Sequence, residues 1–175
     1  RSVALWIQSL ETGAARQLTS GRGRDTGPEW SPDGRQIAFS STRDGKAQIY
    51  LIPVDGGEAR ALTALEQGVG GGPLWSPDGR QIAFTAAPAP PPDLSKPYQV
   101  ARHVYRFDAM GYLDGAVQSL YIIPVEGGEP RRLTNDDQHV SALGWSPDGA
   151  EILVLSTMRA IATCPDFSSA CASSA

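Results

Sequence analysis

The pentapeptide Trp-Ser-Pro-Asp-Gly occurs three times in this chain, beginning at Trp30, Trp75 and Trp145. Three segments align with one another without a gap and end eleven or twelve residues before these tryptophans: 4–19, 48–63 and 119–134. The Trp-to-Trp spacings of 45 and 70 residues define a unit of about 45 residues, with an insertion of about 25 in the second interval. A period in the forties is typical of a β-propeller blade with four strands.

Each part of the unit predicts a strand or a turn. In segment 31–34, proline presets the backbone for a turn and Gly34 supplies a positive φ, so the chain must reverse. The following strand alternates, with Ile37 and Phe39 on one face and small or polar residues on the other. Glycine-containing turns at 43–45 and 55–57 then lead into two further strands. The unit therefore predicts an antiparallel, four-stranded meander.

Laid along the chain, the repeats predict an all-β fold that is an incomplete propeller of about three blade equivalents. We expect a half blade at 1–19, a blade at 27–63, a blade with an insertion at 73–134, and a half blade at 142–156. The insertion spans 85–118, and we expect the tail 157–175 to be disordered. Closed propellers have four to eight blades, so this incomplete set leaves strand edges unpaired. Unpaired edges invite association with other chains, and we count an oligomer among the expected partners.

Composition excludes several partners. The net charge is -4, from 15 basic and 19 acidic residues that are scattered along the chain, which disfavours nucleic acid and anionic membrane as partners. No apolar run approaches the roughly 20 residues of a spanning helix, and Arg1 opens no signal-peptide pattern, so no membrane partner is expected. The two cysteines, Cys164 and Cys171, both lie in the tail and are interpreted as free thiols.

A search for catalytic residues finds none. A serine hydrolase needs a Gly-x-Ser-x-Gly elbow, and the sequence contains no such motif. The only histidines are His103, in the insertion, and His139, in a predicted linker between blades. Neither has a nucleophile nearby in sequence, and two histidines with two tail cysteines lack the spacings of a zinc site. We therefore expect no catalytic residue, no metal and no cofactor in this chain.

Three other segments carry weaker signals. The glycine-rich segment 68–73 could cradle a phosphate, but it lacks the Lys-Ser/Thr ending, so we expect a flexible connection with Gly70 in a loose position. The acidic segment 135–137 could bind calcium or be a solvated linker, and we favour the linker. The proline-rich segment 87–97 could bind a partner or be a stiff entry to the insertion, and we favour the stiff entry.

The repeat unit resembles the TolB-type propeller repeats that form the non-catalytic domain of the prolyl oligopeptidase family of serine peptidases. The resemblance covers roughly residues 4–156. The insertion segment ARHVYRFDAMGYLDG (101–115) is similar to the Tyr-Arg-Phe-Asp-Gly-x-Gly-Tyr segment of the acylaminoacyl-peptidase and dipeptidyl-peptidase-like branch. It departs from that segment at Ala109, where the branch often has glycine.

The resemblance implies a division of labour within a larger protein. In this family the propeller covers the catalytic groove of an α/β-hydrolase domain and admits short or unfolded peptides. The chain is then the propeller portion of an acylaminoacyl-peptidase-like enzyme, with a peptide substrate and a C-terminal hydrolase domain as its partners. It gates and positions substrate without catalysing hydrolysis on its own, and the family suggests the cytoplasm. The alternative is a non-enzymatic, protein-binding propeller of the TolB or sensor type, which would be periplasmic.

The insertion is the best candidate for a binding site, because loops on rigid scaffolds collect binding residues. Its cationic and aromatic side chains are the candidate substrate-binding residues: Arg102, Tyr105, Arg106 and Tyr112, with Phe107 beside them. The alternative is an insertion that only packs, with Arg106 paired to Asp108 or Asp114.

Overall fold

The computed structural model of the chain describes residues 2–87, 106–107, 111–112, 118–134 and 138–158. All regular structure within these ranges is β, which confirms the predicted fold class. The strands are β1 (Trp6–Gln8), β2 (Ala15–Gln17), β3 (Asp25–Trp30), β4 (Gln36–Ser41), β5 (Gln48–Pro53), β6 (Arg60–Ala61), β7 (Leu74–Trp75), β8 (Gln81–Ala86), β9 (Arg106–Phe107), β10 (Gly111–Tyr112), β11 (Ser119–Pro124), β12 (Arg131–Arg132), β13 (Gln138–Trp145) and β14 (Ile152–Met158).

The strands form two complete blades flanked by two half-blades. Blade 1 is the antiparallel sheet β3-β4-β5-β6, and blade 2 is the sheet β7-β8-β11-β12. The first half-blade is the pair β1-β2, and the last half-blade is the pair β13-β14. This arrangement confirms an incomplete propeller built from four-stranded antiparallel blades.

The Trp-Ser-Pro-Asp-Gly turn is closed by the side chains of its own serine and aspartate. Gly34 has a φ of 69°, as its turn position predicts, and its N–H donates to the Ser31 carbonyl at 2.8 Å. The Ser31 hydroxyl donates to Asp33 Oδ1 at 2.6 Å and accepts from the Gln36 N–H at 2.9 Å. These bonds recur at the other two copies of the turn. Hydrogen bonding from the serine lowers the pKa of the aspartate in all three copies, Asp33, Asp78 and Asp148.

Alternation along β4 places its two faces in different cores. Ile37 and Phe39 pack with Leu5 of the first half-blade in one buried cluster. Ala38 points the other way and packs in a second cluster with Phe84 and other residues of blade 2. Because Ala38 is small, the neighbouring blade can approach closely. The alternation predicted for this strand is therefore confirmed.

The tryptophans of the second and third repeats each bond to the blade before them. The Trp75 indole Nε1 donates to the Glu29 carbonyl at 3.2 Å, and the Trp145 indole Nε1 donates to the Leu74 carbonyl at 3.2 Å. In both cases the acceptor is the residue that precedes the tryptophan of the previous repeat. The first tryptophan, Trp30, is 51% exposed, whereas Trp75 is 6% exposed.

The predicted flexible connection at 68–73 is wrong. The Val69 N–H donates to the Ala47 carbonyl at 2.8 Å, and the Gly70 N–H donates to the Thr85 carbonyl at 2.7 Å. A β-carbon at Gly70 would lie 2.0 Å from Gln118 Oε1. The segment therefore runs close against both blades, and Gly70 is not in a loose position, because a β-carbon there would require the Gln118 side chain to move.

The end of the chain also differs from two expectations. His139 lies in β13, which begins at Gln138, and so belongs to a strand instead of a linker. The last strand, β14, continues to Met158, two residues into the expected tail. Segment 135–137 and the rest of the tail, 159–175, lie outside the described residues.

Candidate functional site

The insertion leaves blade 2 and returns to it at one rung of the sheet. Strands β8 and β11 pair residue by residue, from Gln81 opposite Pro124 to Ala86 opposite Ser119. The chain between these strands, residues 87–118, starts and ends at that last rung. In blade 1 the same connection is the short segment 42–47. The insertion is therefore a large extension of one end of blade 2.

The base of the insertion is held from both sides. The Gln67 side-chain amide donates to the Ala87 carbonyl at 2.6 Å, and the nearby Gly70 N–H bonds to Thr85. On the other side, the Val140 N–H of the last half-blade donates to the Gln118 carbonyl at 2.8 Å. These bonds hold the first and last residues of the insertion, Ala87 and Gln118, against neighbouring segments of the fold.

The structure brings two of the four candidate binding residues together. Strands β9 and β10 form an antiparallel pair within the insertion, and Tyr112 lies opposite Arg106 in its register. Arg102 and Tyr105 lie outside the described residues, as do Asp108 and Asp114, the acidic residues considered as partners of Arg106. The binding roles of the four residues stay predictions.

At the same end of blade 1, a buried ionic cluster follows the second strand. The Asp25 side chain is fully buried and forms an ion pair with Arg43, whose Nη2 lies 3.3 Å from Asp25 Oδ1. The Ser41 hydroxyl donates to the same carboxylate oxygen at 2.5 Å. The Arg43 guanidinium lies 5.2 Å from the ring centre of Phe39 and 4.6 Å from that of Tyr50. Arg43 is therefore held by an anion and two aromatic faces.

A second pair locks the adjoining turn. The Tyr50 hydroxyl donates to the Asp44 carboxylate. Burial and the negative charge of Asp44 raise the pKa of Tyr50 to about 12, so the phenol stays protonated at neutral pH. The polar groups of this cluster satisfy one another, and we interpret the cluster as a support for the turn rather than a substrate site.

Sequence reasoning did not find this cluster. Asp25 precedes Arg43 by 18 positions and Ser41 by 16, and no local pattern links an aspartate at the start of one strand to an arginine after the next. The only available signal was the alternation of β4, which places Ser41 on the same face as Phe39. Neither residue alone predicts an ion pair.

A cleft at the opposite end of the sheets is also not interpreted as a catalytic site. It has a volume of about 370 Å³ and lies between the first two Trp-Ser-Pro-Asp-Gly turns, with Asp33 and Asp78 in its walls. Each of these carboxylates accepts a hydrogen bond from the serine of its own turn, which lowers its pKa. Within the described ranges, no group of three or more His, Cys, Asp or Glu residues could hold a metal ion. The same ranges contain no helix long and apolar enough to cross a membrane.

Comparisons with known proteins identify relatives of the blades. Residues 3–103 match the family model described as the tricorn protease N-terminal beta propeller domain. The chain is 38% identical over 155 residues to the uncharacterized peptidase YuxL of Bacillus subtilis, covering 83% of this chain and 24% of that protein. It therefore spans about a quarter of that relative.

Two solved structures share the fold. The putative TolB from Agrobacterium tumefaciens superposes with a TM-score of 0.60 at 25% identity, covering 89% of this chain and 50% of that one. The acylaminoacyl peptidase of Pyrococcus horikoshii superposes with a TM-score of 0.60 at 21% identity, covering 85% of this chain and 22% of that one. In both cases this chain matches only part of a longer chain.

Proposed function

Because the chain belongs to the family of tricorn protease N-terminal β-propeller domains, we propose that it is the propeller part of a serine peptidase and positions peptide substrates for a hydrolase domain of the parent protein. Hydrolysis requires a nucleophile that is activated by a base. The sequence contains no Gly-x-Ser-x-Gly nucleophile motif, so we assign hydrolysis to the hydrolase domain. Its contribution is to select and orient the peptide. The 38% identity to a protein described as a peptidase supports this assignment.

The observation that carries the proposal is the insertion, whose first and last residues are held by hydrogen bonds. Its stem is bonded to the inter-blade segment and to the last half-blade, while Arg106 lies opposite Tyr112 in the hairpin beyond it. A guanidinium presents a planar fork of donors that matches a peptide carboxylate or backbone carbonyl. Arg102 is the second arginine of the same insertion. We assign these two arginines to substrate contacts.

A second candidate is a protein-binding propeller of the TolB type. The chain covers half of the putative TolB chain at 25% identity, which favours this reading over other non-enzymatic ones. In that case the same insertion would contact a folded partner, and the parent protein would contain no serine nucleophile.

The substrate role is tested in the full-length parent protein with the double substitution Arg102→Ala and Arg106→Ala. We expect KM for a peptide substrate to rise about tenfold or more, because a hydrogen bond to a charged group contributes about 1.5–3 kcal/mol. Hydrolysis of a small activated ester should be nearly unchanged, since the ester needs only the hydrolase machinery. The matched control is Arg35→Ala with Arg80→Ala. These two exposed arginines follow Trp-Ser-Pro-Asp-Gly turns at the opposite end of the sheets, and their loss should leave both activities intact.

The outcomes separate the candidates. If KM for the peptide substrate is unchanged in the double variant, the insertion has a packing role only and does not contact substrate. Labelling of the parent protein by a serine-directed fluorophosphonate supports the peptidase, whereas absence of labelling favours the TolB-type propeller. Serine-dependent hydrolysis by the 175-residue chain alone would contradict the division of labour.

A further inference from the structure

The first residue of the insertion lacks the turn that serves its counterpart in blade 1. From the tryptophan onwards, the first two repeats align without a gap, so Ala87 corresponds to Thr42. In blade 1 the Thr42 carbonyl accepts a hydrogen bond from the Gly45 N–H at 3.1 Å, within the short turn that leads into β5. Blade 2 has the insertion in place of that turn, and its Ala87 carbonyl accepts from the Gln67 side-chain amide at 2.6 Å. A side chain thus takes the place of a main-chain donor.

The last residue of the insertion is held in the same way as its counterpart. In the repeat alignment, Gln118 corresponds to Ala47, the residue before β5. The Ala47 carbonyl accepts from the Val69 N–H at 2.8 Å, and the Gln118 carbonyl accepts from the Val140 N–H at 2.8 Å. In both blades the donor is a main-chain N–H from the chain that follows the blade. Of the two bonds described at the ends of the insertion, the one from the side chain is therefore specific to the blade that carries the insertion.

Gln67 is itself held against blade 1. The Gln48 side-chain amide donates to the Leu65 carbonyl at 2.7 Å, two residues before Gln67. Two residues after it, the Val69 N–H donates to the carbonyl that precedes β5. Between these contacts, the Gly68 N–H donates to the Leu65 carbonyl at 3.0 Å and closes a turn. The side chain therefore starts from a turn that bonds to blade 1 on both sides.

We propose that Gln67 is a positioning residue, which fixes where the insertion leaves blade 2. Its bond to Ala87 connects the turn on blade 1 to the first residue of the insertion, and Arg106 lies further along the same insertion. The inference rests on the proposed substrate role of the insertion, because the place of Arg106 matters only if this side chain meets the peptide. It deepens that role by assigning part of the substrate affinity to a residue that acts through the backbone of Ala87.

Gln67→Glu tests the role of the donor in the full-length parent protein. The substitution keeps the shape of the side chain but places an acceptor opposite the Ala87 carbonyl. Ala87 is partly exposed, so water can take over its carbonyl and the fold should be retained. We expect KM for a peptide substrate to rise about two- to tenfold, as the loss of one hydrogen bond predicts, with kcat and hydrolysis of a small activated ester nearly unchanged.

A rescue variant and a matched control separate positioning from general stability. Gln67→Lys returns a donor of similar reach and should restore KM for the peptide. The Gln17 side-chain amide also donates to a main-chain carbonyl, that of Thr19, at 2.8 Å in the first half-blade. Gln17→Glu makes the same chemical change away from the insertion and should leave KM unchanged. Equal increases of KM in Gln17→Glu and Gln67→Glu, or no rescue by Gln67→Lys, would overturn the inference.

A distance measurement tests the positioning without reference to catalysis. In a parent protein without other cysteines, spin labels are attached at Tyr112→Cys in the insertion and at Glu58→Cys, an exposed position of blade 1. We expect Gln67→Glu to shift or broaden the distribution of distances between the labels, measured by pulsed electron paramagnetic resonance, and Gln67→Lys to restore it. An unchanged distribution in Gln67→Glu would overturn the inference. A changed distribution with unchanged KM would support the positioning and contradict the proposed substrate role instead.

Discussion

Replacing Gly34 with alanine isolates the cost of the left-handed turn residue. Gly34 has a φ of 69°, and a β-carbon added there would meet no atom within 4 Å. The substitution therefore creates no clash and removes no packing. Its effect comes from the conformation that an L-residue must adopt.

The size of that effect follows from the backbone alone. A residue with a β-carbon in the left-handed region costs roughly 1–2 kcal/mol. For a chain of 150–250 residues, each kcal/mol shifts the melting temperature by about 2–4 °C. We therefore expect Gly34→Ala to lower Tm by about 2–8 °C, and Gly34→Val to lower it further because a β-branched residue is stiffer.

Differential scanning fluorimetry or calorimetry measures this change against a matched glycine. Gly144 also has open space at the position of an added β-carbon, but its φ is outside the left-handed region. We expect Gly144→Ala to change the free energy of unfolding by less than about 0.5 kcal/mol. Gly70 does not serve as a neutral reference, because a β-carbon there would displace Gln118.

Two results would contradict this reasoning. Equal shifts for Gly34→Ala and Gly144→Ala would show that the sign of φ does not set the cost. A loss for Gly34→Ala well above about 2 kcal/mol would show that the turn carries contacts beyond its backbone conformation.

Two further predictions concern the core and the turns. Phe84→Ala should destabilise the chain by about 3–5 kcal/mol in urea unfolding, because Phe84 is fully buried between blades, whereas Leu10→Ala at a fully exposed position should have little effect. The lowered pKa of Asp33, Asp78 and Asp148 stabilises the fold above the unfolded carboxyl pKa of about 3.9, and this contribution is lost as pH falls through the folded pKa. The triple Asp→Asn variant should therefore lose less unfolding free energy between pH 6 and pH 3 than the unmodified chain, and parallel pH profiles would show that these carboxylates do not contribute.

Local features of the fold were predictable from the sequence because their causes are local. The positive φ of Gly34 follows from its place after Pro-Asp, and the two faces of β4 follow from strict alternation. The position of the insertion was predictable from the spacing of the repeats, because the 70 residues between Trp75 and Trp145 exceed the 45 residues between Trp30 and Trp75. Each of these inferences needed only neighbours in sequence or the repeat itself.

Features that depend on distant contacts could not be predicted in this way. A glycine-rich segment has the same composition whether it is a loose linker or packs between two blades, and only the bond from Gly70 to Thr85 decides between them. The ion pair of Asp25 with Arg43 joins the start of one strand to the turn after the next, and no periodic pattern specifies it. For the candidate site, the sequence supplied the cationic and aromatic residues, whereas the register that places Arg106 opposite Tyr112 depends on the hairpin.

The hydrogen bond from the indole of Trp75 or Trp145 to the preceding repeat forms a joint between neighbouring blades. This joint affects how such chains change over evolutionary time. Its donor is a fixed side chain, whereas its acceptor is a main-chain carbonyl, carried by Glu29 in one joint and by Leu74 in the next. Any residue supplies that carbonyl, so the joint demands no coordinated pair of substitutions. Duplication or deletion of a whole unit in the gene therefore preserves every remaining joint, and blade number is free to vary among descendants while the connection between neighbours stays the same.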